Sequence, residues 1–137
     1  MPDYTPPYPI GRALTLTTSG AVLGGDLLVV SGNGTVAAWV PAATPTTKAI
    51  GVAANDTPTG GRVTVWGFGP VHESVADGTV TAGDQVVAAA TAARQVRTAP
   101  AVTTPTAADV TNTRSILGIA LNTAADGIKV RWMQALG

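Results

Sequence analysis

The feature that most constrains the fold of this chain is an internal repeat. Residues 20–30 (GAVLGGDLLVV) match residues 78–88 (GTVTAGDQVVA), which lie 58 positions later. Residues 50–55 (IGVAAN) match residues 117–122 (LGIALN), which lie 67 positions later. Because the offset grows by nine between the two matches, the second copy carries an insertion of nine residues. The insertion falls in the Thr- and Ala-rich segment near Thr104, which is predicted to be a loop.

Each copy consists of short strand patterns separated by turn signals. A Gly-Asp turn precedes a Val-rich strand, a short strand containing a glycine follows, and an alternating strand comes last. Short strands at regular spacing are typical of a sandwich or a barrel. We therefore predict an all-β fold, a small β-barrel or β-clip-like domain built from two pseudo-repeats, over residues 19–137. The two pseudo-repeats are expected at about 19–72 and 77–134.

Helix is expected to be scarce. The alanine-rich segment 86–93 has helical propensity, but the repeat aligns it with the strand at 27–30, which predicts a strand followed by a turn. A short helical turn is predicted near residues 106–110, because Thr106 can cap it with Asp109 at the third position.

Residues 1–18 are predicted to form an extended N-terminal arm, whose last part, residues 13–17 (ALTLT), has the alternating pattern of a half-buried strand. Four prolines among the first nine residues fix φ and remove N–H donors, which favours a polyproline-like conformation outside any sheet interior. Both tyrosines of the chain lie here, and tyrosine is enriched at binding hot spots. The alternatives are an arm that is disordered or one that folds back onto its own barrel. The residues expected to contact a partner are Tyr4, Pro6, Pro7, Tyr8, Pro9 and Ile10.

Composition argues against several classes of partner. The net charge is zero and the basic residues are scattered, so no stretch predicts nucleic-acid binding. No segment approaches the roughly 20 apolar residues that span a bilayer, so no membrane association is expected. The chain has no cysteine, which excludes disulfides and thiolate metal sites. The N-terminus lacks the pattern of a secretory signal, so a product made in the cytoplasm is expected.

The low charge of the chain has two explanations that the sequence leaves open. Charged residues make up 12% of the chain, against about 25% in typical soluble domains. A surface covered by other protein would account for this. A codon bias that favours Ala, Gly, Pro, Asp and Arg would account for it equally well, since Arg outnumbers Lys six to two and Asp outnumbers Glu seven to one.

No constellation of residues predicts catalysis, a metal site or a cofactor. His72 is the only histidine and stands beside Glu73, but adjacent strand residues point to opposite faces, so the pair would not converge. One histidine and scattered aspartates are too few ligands for a metal site. Asp26 and Asp84 each follow a glycine in the repeated turn, where capping of the turn backbone is the expected role.

The three tryptophans are predicted to be core or subunit-interface residues. Trp66 has the opposite strand parity from Val63 and Val65, so one face of that strand carries the valines and the other carries the tryptophan. A loose match of residues 61–66 with 127–132 aligns this tryptophan with a second one. The candidates for a subunit interface are Trp66, Trp39 and Trp132.

Four short segments resemble bacteriophage head decoration proteins, also called capsid cement proteins. The segments are VTAGDQVV at 80–87, IGVA at 50–53, LGIA at 117–120 and NTAADGIKVR at 122–131. The resemblance implies a β-barrel or β-clip domain that forms homotrimers on the outer surface of the head and binds after the shell expands. It also implies that an N-terminal arm, here residues 1–18, bridges adjacent subunits of the major capsid protein. The implied location is therefore the outer surface of the virion capsid, with no enzymatic activity.

Three other interpretations remain at this stage. One is another phage structural β module, such as a tail or fibre domain. A second is a trimeric β-clip enzyme of the nucleotide-hydrolase type, although the sequence shows no cluster of Asp, Ser, Tyr and Arg around a metal-bound phosphate. A third is a carbohydrate-binding surface module, since exposed tryptophans on a β face can stack on sugars.

Overall fold

The protein folds as two closed five-stranded β-barrels, one from each pseudo-repeat. The computed structural model describes residues 13–67, 69–102 and 105–135. In the first barrel the order around the sheet is β1-β3-β2-β4-β5, and β1 pairs with β5 to close it. Its strands are β1 (Ala13–Thr18), β2 (Leu27–Gly32), β3 (Thr35–Ala38), β4 (Ala49–Ala53) and β5 (Arg62–Trp66).

The second barrel repeats this plan and adds one helix in the insertion. The order around its sheet is β10-β6-β8-β7-β9. Its elements are β6 (Val71–Ala76), β7 (Gln85–Ala88), β8 (Gln95–Thr98), α1 (Ala107–Arg114), β9 (Gly118–Ala120) and β10 (Lys129–Gln134).

Strands β2 and β4 recur as β7 and β9 at the offsets of 58 and 67 found in the sequence, whereas β3 recurs as β8 at an offset of 60, since Leu28↔Ala38 becomes Val86↔Thr98. The predicted insertion is therefore divided, with two of the extra residues between β7 and β8 and seven between β8 and β9.

The pair Leu28↔Gly51 between β2 and β4 recurs as Val86↔Gly118 between β7 and β9. Each of these glycines lies where a Cβ would overlap a backbone carbonyl of the neighbouring strand, that of Trp66 or that of Met133. The two glycines are therefore required by close strand packing, which explains why the short Gly-containing motif appears in both copies.

The turn before β2 and the turn before β7 are capped in the same way, as the sequence predicts. The Asp26 carboxylate accepts a hydrogen bond from the Leu23 N–H at 2.9 Å. The Asp84 carboxylate accepts the equivalent bond from the Thr81 N–H, also at 2.9 Å. Each aspartate thus satisfies a turn N–H that the ladder leaves free.

Three expectations need correction or refinement. The all-β class and the two pseudo-repeats are confirmed, but each repeat closes a barrel of its own instead of sharing one. Residues 13–18, assigned to the arm, form β1 and pair with both β3 and β5, so they belong to the first barrel. The repeats accordingly begin at β1 and β6. Residues 1–12, with all six predicted contact residues of the arm, lie outside the described residues.

The insertion contains a full helix of eight residues and not only the short turn that was predicted. Its predicted cap is confirmed: the Asp109 carboxylate accepts hydrogen bonds from the Thr106 N–H at 2.7 Å and from the Thr106 hydroxyl at 3.0 Å. The alanine-rich segment forms strand β7 followed by a turn, as the repeat indicates.

Two cores hold the molecule together, and one of them crosses between the barrels. The core of the first barrel contains Leu28, Val36, Val63 and Val65, all fully buried. The core of the second barrel extends to Leu27 and Val52 of the first, and the partly buried Trp39 packs against it. Since apolar burial contributes in proportion to area, this shared cluster stabilises the contact between the barrels.

Candidate functional site

His72 and Glu73, the one candidate acid–base pair, point to opposite faces of β6 as predicted. His72 is buried, and its Nε2 lies 2.9 Å from Oε1 of Gln134. Its ring packs on Trp132 with 4.8 Å between the ring centroids. Burial lowers the pKa of His72, and the hydrogen bond to Gln134 raises it by a smaller amount. The imidazole is therefore a neutral core group, held by neighbours and turned away from Glu73.

Glu73 lies on the outer face of the second barrel and pairs with two cations. Its Oε1 is 3.1 Å from Lys129 Nζ, and its Oε2 is 3.3 Å from Arg131 Nε. Hydrogen bonds from Lys129 and then Arg131 lower the pKa of Glu73. The carboxylate is thus ionised and engaged, which suits an electrostatic contact more than proton transfer.

The aspartates of the repeated turns are structural groups. Asp26 is 6% exposed, and its second carboxylate oxygen accepts a hydrogen bond from Arg94 Nε of the other barrel at 3.0 Å. Asp84 also accepts a hydrogen bond from the Thr98 hydroxyl at 2.8 Å. Within the described ranges, no group of three or more His, Cys, Asp or Glu side chains is placed to hold a metal ion. The one helix of the described residues is too short and too polar to cross a bilayer.

The structure separates the three tryptophans that the sequence grouped as interface candidates. Trp132 is 1% exposed inside the second barrel, and its Nε1–H donates to Ser74 Oγ at 3.0 Å, so it lies in the core, one of the two places predicted for the tryptophans. Trp39 lies between the barrels, where its Nε1–H donates to the Ala89 carbonyl at 2.9 Å. Trp66 is 42% exposed and remains the only one of the three on an outer face.

The register also corrects the alignment of two tryptophans. Ala53 pairs with Val65 in the first barrel, and the equivalent Ala120 pairs with Trp132 in the second. Trp132 is therefore the counterpart of Val65, and Trp66 is the counterpart of Met133. Among the three tryptophans, Trp66 therefore offers the one indole on an outer face on which a sugar could stack.

The outer face of the second barrel around β10 carries both exposed apolar and exposed charged side chains. A groove of about 580 Å³ crosses this strand and is here named the β10 groove. Leu121 lies on one side of the strand and Val71 on the other, with exposures of 50% and 54%. The groove is lined by Val71, Glu73, Leu121, Asn122, Lys129 and Arg131.

Sequence reasoning missed the β10 groove, because its residues come from three separate segments. The signal that could have found it is the comparison of the two repeats at the observed offsets. Thr15 and Thr64 of the first copy become Glu73 and Arg131 in the second, and Ala54 becomes Leu121. Charged and apolar residues thus replace small ones at positions that are exposed in both copies, apart from Thr64, which is half-buried.

A second surface lies where the insertion meets the second barrel. A groove of about 420 Å³ is lined there by residues that include Asp84, Thr98, Val102 and Thr113. The Asp84 carboxylate and the Thr98 hydroxyl are already hydrogen-bonded to each other. These polar groups are therefore engaged inside the protein.

Comparison with known proteins agrees with this architecture. The N base of the head fiber gp8.5 of bacteriophage phi29 has a similar fold, with a TM-score of 0.56 and 15% identity, covering 90% of this chain and 92% of that one. No curated protein matches the chain at a significant level. The family model described as phage cement protein matches residues 9–133, a range that includes both barrels. The resemblance seen in the short motifs is thereby confirmed, and the chain belongs to the phage cement protein family.

Proposed function

We propose that this capsid decoration protein binds the outer surface of an expanded phage head as a homotrimer and stabilises the shell through contacts with the major capsid protein. The observation that carries the proposal is the family match, which covers 9–133 and so includes all of the described strands except the last residue of β10. Membership of this family makes the chain a structural component of the phage head. The outer location, the trimer, the stabilisation and the capsid partner are the proposed steps beyond it.

Physical features of the described residues support this role. Strands β1 and β5 close one barrel and β6 and β10 contribute to the closure of the other, so neither sheet leaves a long free edge for pairing with other chains. Contact with the shell must then come from side chains on the outer faces or from the N-terminal segment. Many modest contacts repeated over a lattice give a strong hold by avidity, and a trimer at a three-fold site repeats each contact three times.

We further propose that the chain has no enzymatic activity and that it is made in the host cytoplasm before it joins the head. The buried neutral His72 and the ion-paired Glu73 support the absence of enzymatic activity. Neither presents a free acid or base in the β10 groove or in the groove between the insertion and the second barrel. Capsid attachment needs only binding energy, so no reacting group is required.

Co-sedimentation with purified heads tests the proposal. Heads of the encoding phage that lack this protein would be prepared before and after expansion, together with isolated tails. We expect saturable binding to expanded heads, stoichiometry in multiples of three at three-fold positions, and a higher temperature of shell disruption once bound. Binding to tails alone, or no effect on shell disruption, would contradict the proposal, and analytical ultracentrifugation of the free chain tests the trimer.

A further inference from the structure

The outer faces of the two barrels differ although their pairing is the same. At four equivalent positions the first barrel has small or hydroxyl side chains where the second has charged or larger apolar ones. The first barrel closes with the small side chains, so the fold does not require the charged or larger apolar side chains of the second barrel. The equivalent pairs are Ala13 and Val71, Thr15 and Glu73, Ala54 and Leu121, Thr64 and Arg131.

The charges of the β10 groove leave an excess of positive charge. Lys129 and Arg131 share the single carboxylate of Glu73, and their side chains are 70% and 68% exposed. Arginine presents five N–H donors, and the ion pair with Glu73 engages the Nε–H. The groove therefore offers one net positive charge and arginine N–H donors beyond the one that the Glu73 ion pair engages.

Apolar side chains flank these charges. Val71 is 54% exposed and lies opposite Met133 in the β6–β10 ladder, which is itself 42% exposed. Leu121 adds an apolar contact on the other side of Arg131, where its N–H donates to the Arg131 carbonyl at 2.7 Å. Exposed apolar side chains around a central arginine are the composition typical of binding surfaces.

We infer that the β10 groove binds a segment of the head shell in which carboxylates stand beside apolar side chains. A partner carboxylate would take up the excess charge of Lys129 and Arg131, and its apolar neighbours would cover Val71 and Leu121. This inference rests on the proposed function, because it takes the shell as the partner. Charge complementarity is what selects an acidic segment over a basic or neutral one.

The first barrel supplies a matched control for the test. Arg62 is the counterpart of Lys129, is also exposed, and occupies the same position on β5 that Lys129 has on β10. Lys129→Glu and Arg62→Glu therefore make the same change in net charge on equivalent strands. Neither side chain is buried, so both variants are expected to fold, which circular dichroism and thermal unfolding would verify.

The measurement is the affinity of the full chain for expanded heads that lack it, by co-sedimentation at low and at moderate salt. We expect Lys129→Glu to weaken binding about tenfold or more, since reversal replaces attraction with repulsion, and Arg62→Glu to leave it within about twofold. The difference should shrink as salt rises, because exposed charges are screened.

A Leu121→Ala variant tests the apolar part and is expected to weaken binding without changing its salt dependence. Equal effects of Lys129→Glu and Arg62→Glu on head binding, or no effect of either, would overturn the inference about the β10 groove. The proposed function would still stand if the wild-type chain binds heads. If the wild-type chain does not bind heads, the proposed function and this inference fall together.

Discussion

The two barrels share one strand plan but have different interiors. In the first, Leu14 and Leu16 of β1 point inward beside the fully buried Val65. In the second, the equivalent positions are His72, Ser74 and Trp132, which form a ring contact and a hydrogen bond. The same strand pairing therefore accommodates either an aliphatic interior or an interior of aromatic and hydrogen-bonded side chains, provided that the side chains of each interior pack against one another. The indole of Trp132 needs Ser74 as an acceptor, and the smaller polar side chains leave room for its volume.

The barrels also differ in what they present outside. The outer faces of β1 and β5 in the first barrel carry Trp66, Arg62 and small or hydroxyl residues, whereas those of β6 and β10 in the second carry ion-paired charges and exposed aliphatic side chains. The described residues begin at Ala13, which pairs with Trp66 in the first barrel. The comparison thus sets the predicted N-terminal arm, which precedes the first barrel in sequence, against the β10 groove on the second.

Deletion of residues 2–12 is expected to have the largest effect. We predict that the truncated chain still folds, because β1 begins at Ala13 and closes the first barrel without them. Head binding is predicted to be lost, since a segment with two tyrosines and preset proline backbone can dock at little entropic cost. Circular dichroism and co-sedimentation check the two parts. Full occupancy of heads by the truncated chain would assign attachment to the barrels alone.

Replacement of the equivalent core residues compares the two interiors. Trp132→Ala is expected to lower the free energy of unfolding by about 3–5 kcal/mol, because it leaves a large cavity in the second barrel. Val65→Ala removes two methyl groups and is expected to cost about 2 kcal/mol. Urea denaturation of both variants measures the difference. Equal losses would mean that the second barrel collapses around the missing indole.

Local features of the two barrels could be predicted from the sequence, whereas the equivalence of their core residues could not. The repeat and its turns predicted the strands and the capping role of Asp26, because such patterns act locally along the chain, but they placed all nine extra residues near Thr104, whereas two of them lie between β7 and β8. The sequence alignment of Trp66 with Trp132 was wrong by one position. Gly51 packs against the carbonyl of Trp66 and Gly118 against that of Met133, so Trp66 and Met133 are the equivalent residues. Side-chain identity alone does not carry that information.

The β10 groove was not predictable for a related reason. Val71, Leu121 and Arg131 lie far apart in sequence and converge only when β6, β9 and β10 become neighbours in the sheet. Closure of each repeat into its own barrel brings them together, and two repeats in one larger barrel would have other neighbours. The β10 groove therefore depends on the closure of each repeat into its own barrel, which the sequence did not predict.

Ser74→Ala tests whether the polar interior of the second barrel depends on its hydrogen bonds. The buried Trp132 Nε1–H would lose its acceptor, which is expected to cost about 1–3 kcal/mol of unfolding free energy. Ser74→Thr keeps the hydroxyl and serves as the control. Urea denaturation should rank wild type, the threonine variant and then the alanine variant, and an alanine variant as stable as wild type would contradict the role of this bond.

The smallest expected effect is a pH dependence that distinguishes the second barrel from the first. Burial lowers the pKa of His72 in the folded protein below its ordinary value of 6.5. As the pH falls through that value, the unfolded chain takes up a proton that the folded chain does not, so stability decreases until the pH reaches the lower folded pKa. Above that window, both states are neutral at this residue and the full stability remains.

His72 is the only histidine in the chain, so it is the side chain expected to titrate in this range. Replacing it with the residue of the first barrel, His72→Leu, should flatten the dependence of unfolding free energy on pH between about 5 and 7. Urea denaturation at several pH values measures the slope, which is informative even if the variant is less stable throughout, since Gln134 loses its partner. A variant that keeps the wild-type slope would show that the proton taken up on unfolding binds elsewhere. The polar interior of the second barrel would then differ from the first in packing alone.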